Sequence, residues 1–320
     1  MKQYDVVALG ELLIDFTENG RSAQGNLIME ANPGGAPCNV LAMLNRLGRK
    51  TAFIGKIGND MFGDSLEATL REVGIDTCGL KRDEKVNTTL AFVHTKADGD
   101  REFSFYRNPG ADMMLEESDL EEDLLKNCKI FHYGSLSMTH EVCRRATKKA
   151  IAMAEENGAV LSFDPNLREA LWSDLEEARQ QIEYGIRHCQ ILKVSDNEIQ
   201  WLTGEEDFDK AVEKIRERFA VPMILLSMGK AGSRAYMGDC RVEQPAFLQT
   251  GTIETTGAGD TFCACILHHV LEYGWRAYEK DEMSRMLRFA NAAASIITTR
   301  KGALRVMPHR DEIENLCDRG

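Results

Sequence analysis

Short β-rich apolar runs recur along this chain with helix-period segments between them, and that alternation limits the possible folds more than any other feature. Residues 6–9, 51–54, 129–132, 159–163, 191–194 and 223–226 read as buried strands, and 139–157, 173–188 and 207–219 read as helices between them. A parallel crossover needs a connecting helix, and that helix must bury its apolar stripe on the sheet. The rhythm therefore predicts an α/β fold with a central, mostly parallel sheet flanked by helices on both faces. Ligands of such sheets usually sit beyond the carboxyl ends of the strands.

One stretch breaks the rhythm. Residues 88–107 carry no helical pattern, only two strand-like runs around Asp98-Gly99, a hairpin-turn signal, and 14–32 also look strand-like. The two segments are expected to pair as a small antiparallel sheet over the strand ends; an edge hairpin is the alternative. This divides the chain into a core of 1–11, 36–85 and 111–320 and a β-lid of 12–35 and 86–110, within the size of one large domain plus an appendage. A net charge of -12 disfavours non-specific binding to nucleic acid or anionic membranes, while leaving room for a locally positive nucleotide site. No apolar run approaches the roughly 18 residues of a membrane span, and no secretory leader opens the sequence. The nine cysteines are scattered without a C-x-x-C, which reads as reduced thiols and a cytoplasmic protein.

The segment richest in chemistry is Thr255-Thr256-Gly257-Ala258-Gly259-Asp260-Thr261-Phe262. Phe262, Ile266, Leu267, Val270 and Leu271 then fall on one helical face, so the glycines occupy a helix N-terminus. Exposed amides and the helix dipole there suit a phosphate in transfer, and Asp260 in the first turn can accept a proton. A Thr-capped helix whose Asp merely complements the dipole is the plainer reading. Neither G-x-x-x-x-G-K-[ST] nor a strand followed by G-x-G-x-x-G occurs, so any phosphate site is of another type.

Other polar groups cluster at predicted strand ends. Pro33-Gly34-Gly35-Ala36-Pro37-Cys38-Asn39 leads into a helix with Pro37 in its first turn; the glycines admit a ligand, and Asn39 can donate to and accept from a sugar hydroxyl. A tight strand–helix turn explains the same residues. Asp15 ends the first strand region, where it can grip vicinal hydroxyls or simply be solvated. Asp164-Pro165-Asn166-Leu167-Arg168 and Ser227-Met228-Gly229-Lys230-Ala231-Gly232 follow further strands, and both also fit surface turns. Ser195-Asp196-Asn197-Glu198 follows Lys193-Val194; Glu198 can hold Mg²⁺ through water or serve as an acid in a helix first turn. Phe103, Phe105 and Tyr106 suit either a sugar pocket or ordinary hairpin packing. His140-Glu141 lacks a second zinc-helix His, because Arg144 holds that place, and reads as structural.

Taken in order, Gly-Gly-Ala-Pro-x-Asn, Asp-Pro-Asn-x-Arg and Thr-Thr-Gly-Ala-Gly-Asp resemble the ribokinase-like (PfkB) carbohydrate kinase family, over essentially the whole chain. The segments 10–16 and 105–112, with Trp172, are most similar to the fructokinases of that family. The resemblance implies a β-lid, ATP with Mg²⁺ as cofactors, and phosphoryl transfer to a sugar's primary hydroxyl, with fructose to fructose 6-phosphate foremost. It implies Asp260 as base and Gly257, Ala258 and Gly259 as anion hole. Asp15, Gly34, Gly35, Asn39, Phe105 and Asn166 would hold the sugar, with Arg107 and Arg168 at the sugar-phosphate end. Lys193, Ser227, Gly229, Gly232 and Asn291 would serve the nucleotide. Lids of this family pair into homodimers.

Several positions depart from the family pattern. Glu254 stands for an Asp, Leu41 and Cys265 for smaller residues, and Ser195 for the Asn of N-x-x-E, which weakens the Mg²⁺ role of Glu198. Val306 stands for a polar residue that helps hold a monovalent cation such as K⁺ in ribokinases. Rival readings are a kinase of ribose or of a sugar acid such as 2-keto-3-deoxygluconate, and a fructokinase-like binding protein without catalysis. The intact Asp260 and its glycines argue against the last.

Overall fold

The computed structural model describes residues 2–95 and 101–319. Its strands are β1 Tyr4–Leu9, β2 Leu13–Arg21, β3 Leu27–Gly34, β4 Thr51–Gly58, β5 Asp76–Asp83, β6 Leu90–Thr95, β7 Arg101–Tyr106, β8 Cys128–Gly134, β9 Val160–Asp164, β10 Ile191–Ser195, β11 Met223–Ser227, β12 Ser233–Met237 and β13 Cys240–Gln244. Its helices are α1 Ala36–Arg46, α2 Met61–Glu72, α3 Glu122–Lys126, α4 Glu141–Glu156, α5 Leu175–His188, α6 Asp196–Thr203, α7 Phe208–Phe219, α8 Ala258–Tyr273, α9 Lys280–Ile297 and α10 Arg310–Arg319.

A nine-stranded sheet runs in the order β13-β12-β11-β10-β9-β8-β1-β4-β5. From β5 to β11 all pairings are parallel, and β12 and β13 close one edge as an antiparallel hairpin. Side chains alternate across β1. Val6 and Ala8 join a core with α1, α2, α8, α9 and α10, whereas Val7 and Leu9 join a second core with α3 to α7. Strands buried on both faces explain the near-continuous apolar runs in the sequence. β1 is an interior strand, third from the β5 edge, and the sheet builds outward on both sides of it, which leaves a crevice at the carboxyl ends beside β1.

A separate four-stranded sheet has the order β3-β2-β6-β7. The expectation of an antiparallel sheet needs correction at its centre. β2 pairs with β3 and β6 with β7 antiparallel, but β2 and β6 run parallel, from Ile14↔Leu90 to Thr17↔Val93. The reason is the point of departure. β2 follows β1 and β6 follows β5, and both core strands point the same way, so both leave by the carboxyl edge. The turn expected at Asp98-Gly99 lies outside the described residues, and so does the side chain of Phe103.

Two polar anchors, one half-buried and one buried, fix the roots of this sheet. Asp60 caps α2 by accepting the amides of Phe62 and Gly63, and it also takes the amide of Thr88 at 2.7 Å and its hydroxyl at 2.8 Å, just before β6. After β7, Arg107 binds Asp112 through Nε at 2.8 Å and Nη2 at 2.7 Å, with side chains 3% and 2% exposed. The same guanidinium donates to Thr139 Oγ1 and to the Leu136 carbonyl, and Thr89 donates to the other oxygen of Asp112. Removing one partner of a buried pair strands the other charge. Arg107→Met is therefore expected to lower the free energy of unfolding by about 3–5 kcal/mol, measured by urea denaturation with coincident fluorescence and circular dichroism transitions. An unchanged midpoint would show that the pair does not hold the fold.

Candidate active site

The residues expected around a sugar converge on a cavity of about 310 Å³ between the two sheets. Pleat parity selects the side chains that the small sheet contributes. Leu13, Asp15 and Thr17 of β2 line the cavity, as do Val93 and Phe105, while Phe16, Phe92 and Tyr106 occupy the opposite face. There Phe16 stacks on Phe92 at 4.9 Å and meets Phe62 of α2 edge-on at 5.6 Å. Tyr106 accordingly points away from the cavity and is 67% exposed.

The paired glycines are required by close approach. A Cβ on Gly34 would stand 2.2 Å from Asp15 Oδ2, so its absence makes room for that carboxylate. Gly35 has φ 129° and would place a Cβ 2.4 Å from the Glu11 carbonyl. It starts α1 without a side-chain cap of its own; the Glu11 carboxylate accepts the Ala36 amide instead, at 2.7 Å. Glu11 also lines the cavity, a residue the sequence did not single out. Burial, with the Asp112 charge adding to it, pushes its carboxyl up to about 7 against the pull of backbone amides and Arg107.

Asp260 lies in the first turn of α8, 9% exposed. Gly257 sets up that turn at φ 76°, and the Ala258 amide points back to the Thr255 carbonyl at 3.2 Å. Asn39 Nδ2 donates to Asp260 Oδ2 at 2.8 Å, which leaves Asn39 Oδ1 buried and unpartnered in the cavity wall. Burial raises the pKa of Asp260, while the Asn39 amide, Lys193 and Arg168 pull it down. Asp15 is pushed up to about 7, first by burial and further by Glu254, against the pull of Arg168.

Asn166 and Arg168 also face this cavity, Asn166 in the left-handed region at φ 46° that its short amide tolerates. Arg168 is exposed. Lys193, expected on the nucleotide side, lines the sugar-side cavity instead and pairs with Asp164 at 2.9 Å. Arg107 is not among the cavity's lining residues, because its guanidinium is spent on Asp112, Thr139 and Leu136.

A second cavity of about 560 Å³ adjoins the first. Ser227, Gly229, Gly232 and Asn291 line it as expected positions. Of its apolar walls, Phe262 belongs to the helical face read from the sequence, whereas Phe247 and Leu248 lie in an irregular segment without a periodic signal and Ala294 lies in α9. Asn291 holds the rim: its Nδ2 donates to the Gln244 and Pro245 carbonyls and its Oδ1 accepts from Ser233. Thr255 and Gly259 line both cavities, so the N-terminus of α8 forms their common wall.

Glu198 lines neither cavity. Its carboxylate accepts the Ser195 amide and hydroxyl and the Leu167 amide, and Lys193 together with these bonds lowers its pKa despite burial. Among the described residues no group of three or more His, Cys, Asp or Glu is placed to hold a metal ion. Glu254, at the position of the family's Asp, accepts the Gly302 amide at 2.9 Å, and Leu41 and Cys265 are buried in the core shared by α1 and α8. The Val306 carbonyl accepts from Arg300 at 2.8 Å. Among the described residues no helix is long and apolar enough to cross a membrane.

Comparison with known proteins agrees with this geometry. The pattern of the pfkB family carbohydrate kinases matches residues 3–310. Fructokinase-1 of Zea mays is 42% identical over 317 residues, 98% of each sequence. A fructokinase from Xylella fastidiosa with bound ATP superposes with a TM-score of 0.90 at 29% identity, covering 100% of this chain and 99% of that one. A fructokinase from Vibrio cholerae, in a form with fructose, ADP and calcium ion bound, gives 0.88 at 28% identity, covering 98% and 99%.

Asn39 generates a specific expectation. A base must be ionised to accept a proton, so if Asp260 is the proton acceptor the rate should fall as pH drops through its pKa. Asn39→Ala removes a bond that lowers this pKa, and the acid limb of kcat/KM should move to higher pH than in the wild type. Asp15 titrates on the same limb, so the readout is the difference between the two profiles. A limb that stays in place would separate Asn39 from the base.

Proposed function

The chain belongs to the pfkB family of carbohydrate kinases, and we propose that it transfers the γ-phosphoryl group of ATP to the primary hydroxyl of D-fructose, giving fructose 6-phosphate. The observation that carries this reading is the wall shared by the two cavities. A polar cavity with an unpartnered Asn39 Oδ1 and the Asp15 carboxylate suits a polyol, and an apolar cavity beside it suits a purine. The start of α8 stands between them, with Gly259 lining both cavities and the Ala258 amide turned to the Thr255 carbonyl until a phosphate competes for it.

In this reading Asp260 takes the proton of the O6 hydroxyl. The freed lone pair forms the O6–P bond while the bond from the γ-phosphorus to the bridging oxygen breaks, and ADP leaves with that electron pair. The N-terminal amides of α8 stabilise the charge on the phosphoryl oxygens, and positioning supplies much of the remaining acceleration. Ser227, Gly229, Gly232 and Asn291 border the nucleotide. Mg²⁺ is the divalent ion we assign, and when bound it neutralises phosphate charge. Among the described residues no carboxylate cluster is placed to hold it, so its ligands are expected to be chiefly phosphates and waters, with Glu198 at most behind a water. Val306 predicts little dependence on K⁺, tested by exchanging K⁺ for Na⁺ in the assay.

The small sheet, residues 12–35 and 86–110, is the element we assign as a lid, closing over the sugar to exclude water. Pairing of such lids would make a homodimer, which light scattering tests. A cytoplasmic setting fits nine free cysteines and an ATP requirement.

Two measurements test the reading. Asp260→Asn should keep the fold and nucleotide binding and lose roughly 10²–10⁴-fold in kcat; a variant with more than about half the wild-type kcat would remove Asp260 as base. Among substrates, kcat/KM for fructose should exceed that for ribose and 2-keto-3-deoxygluconate at equal ATP and Mg²⁺. A tenfold preference for the sugar acid, about 1.4 kcal/mol, would overturn the substrate and leave the kinase assignment standing.

A further inference from the structure

Lys193 stands near the end of β10 with its side chain 8% exposed, yet its ammonium borders the sugar-side cavity. It lies 2.9 Å from Asp164 Oδ2. Asp164 is fixed in turn, because its other oxygen accepts the Asn166 amide at 3.2 Å. An ammonium has three donors, and Asp164 occupies one direction. Another leads to the first turn of α8: Lys193 Nζ is 3.2 Å from the point where a side chain on Gly259 would begin. Gly259 is one of the two residues common to both cavities, so the ammonium stands beneath the passage between them.

The charges around it keep this group a cation. Burial alone would favour the neutral amine, but the carboxylates of Asp164, Glu198 and Asp260 outweigh burial and raise its pKa. His132 adds no competing charge, since burial and Lys193 hold it down to about 3. The other cation acting on Asp260 is Arg168, whose side chain is exposed.

We propose that Lys193, held by Asp164, is a catalytic cation that contacts the phosphoryl group as it passes from the nucleotide cavity to the sugar cavity. This rests on the kinase reading above. Lys193 keeps its proton throughout; it supplies fixed positive charge where the phosphoryl oxygens pass, in a site already arranged before the substrates arrive. Helix amides alone carry only partial charges, and the exposed Arg168 would have to be ordered first. Standing close to Asp260, the same charge also favours the ionised form of the base. Asp164 is a positioning residue for Lys193, with no direct part in the transfer.

The test compares Lys193→Met with the double variant Lys193→Met/Asp164→Asn, using whichever sugar the wild type phosphorylates best. Replacing both members of a buried pair leaves no stranded charge, so the double variant is expected to fold even where the single one does not. Expected are a native circular dichroism spectrum and ADP affinity close to wild type. The sugar KM should stay within about threefold, kcat should fall about 10²–10³-fold, and the acid limb should move to higher pH. A double variant that regains wild-type kcat would show the pair to be merely structural and overturn the proposal. A loss confined to KM, with the acid limb unmoved, would overturn it too. Wild-type enzyme that ignores fructose but phosphorylates another sugar would refute the substrate assignment alone, because the comparison then runs on that sugar.

Discussion

A buried carboxylate pulled toward protonation by burial and toward ionisation by its neighbours is the constraint from which the arrangement of this site follows. Asp260 is 9% exposed, and burial by itself would protonate it. Three elements far apart in sequence supply the opposing influence. α1 brings the Asn39 amide at 2.8 Å, β10 brings the Lys193 charge, and α8 contributes its own N-terminus. A doubly wound sheet in which β1 is an interior strand places the beginnings of α1 and α8 and the end of β10 around one crevice. Loss of any one would leave the acid harder to ionise, which links the packing of the core directly to the charge on Asp260.

The small sheet meets a different requirement, which is to present polar groups inward from a layer only one strand thick. Period-two alternation does this without further machinery: Asp15 and Thr17 face the cavity, while Phe16 and Phe92 stack behind them. The layer is rooted where it leaves the core. Asp60 ties the start of β6 to the cap of α2, and Arg107 ties the end of β7 to Asp112 and to the Leu136 turn. The layer is thus tied to the core at these roots, and Lys301 adds an exposed contact farther out, to Glu30 of β3 at 2.7 Å and to Asn19 of β2 at 3.3 Å.

Strand positions were legible because strands buried on both faces are apolar without interruption, and the α8 N-terminus was legible because its glycines and Asp260 are contiguous. Side-chain destinations at the strand ends were not. Arg107 and Glu198 look ligand-facing in sequence, but the Thr139 and Leu136 groups that hold Arg107 and the Leu167 amide that holds Glu198 arrive from distant segments. Glu11 escaped notice for the same reason: only the return of Gly35 and Ala36 against β1 gives it a partner. The apolar wall of the second cavity around Phe247 and the exposed Leu248 lies in an irregular segment, where no periodicity marks a cavity-facing side.

Charge also bears on which sugar the cavity accepts. Glu11, Asp15, Glu254 and Asp260 border it, while Lys193 is paired with Asp164 and Arg168 is solvated. Burial pushes Glu11 and Asp15 up to about 7, so near neutrality each is partly protonated and can donate to or accept from a hydroxyl. A neutral polyol meets such groups without electrostatic cost. A sugar acid would bring a carboxylate into an acidic enclosure with only Arg168 free to receive it, since Arg107 is already held by Asp112. The same balance has a consequence for pH: above neutrality Glu11 and Asp15 both ionise, and the cavity grows more hostile to an anion while its capacity to accept hydroxyl protons increases. Discrimination between neutral and acidic sugars should therefore widen as pH rises.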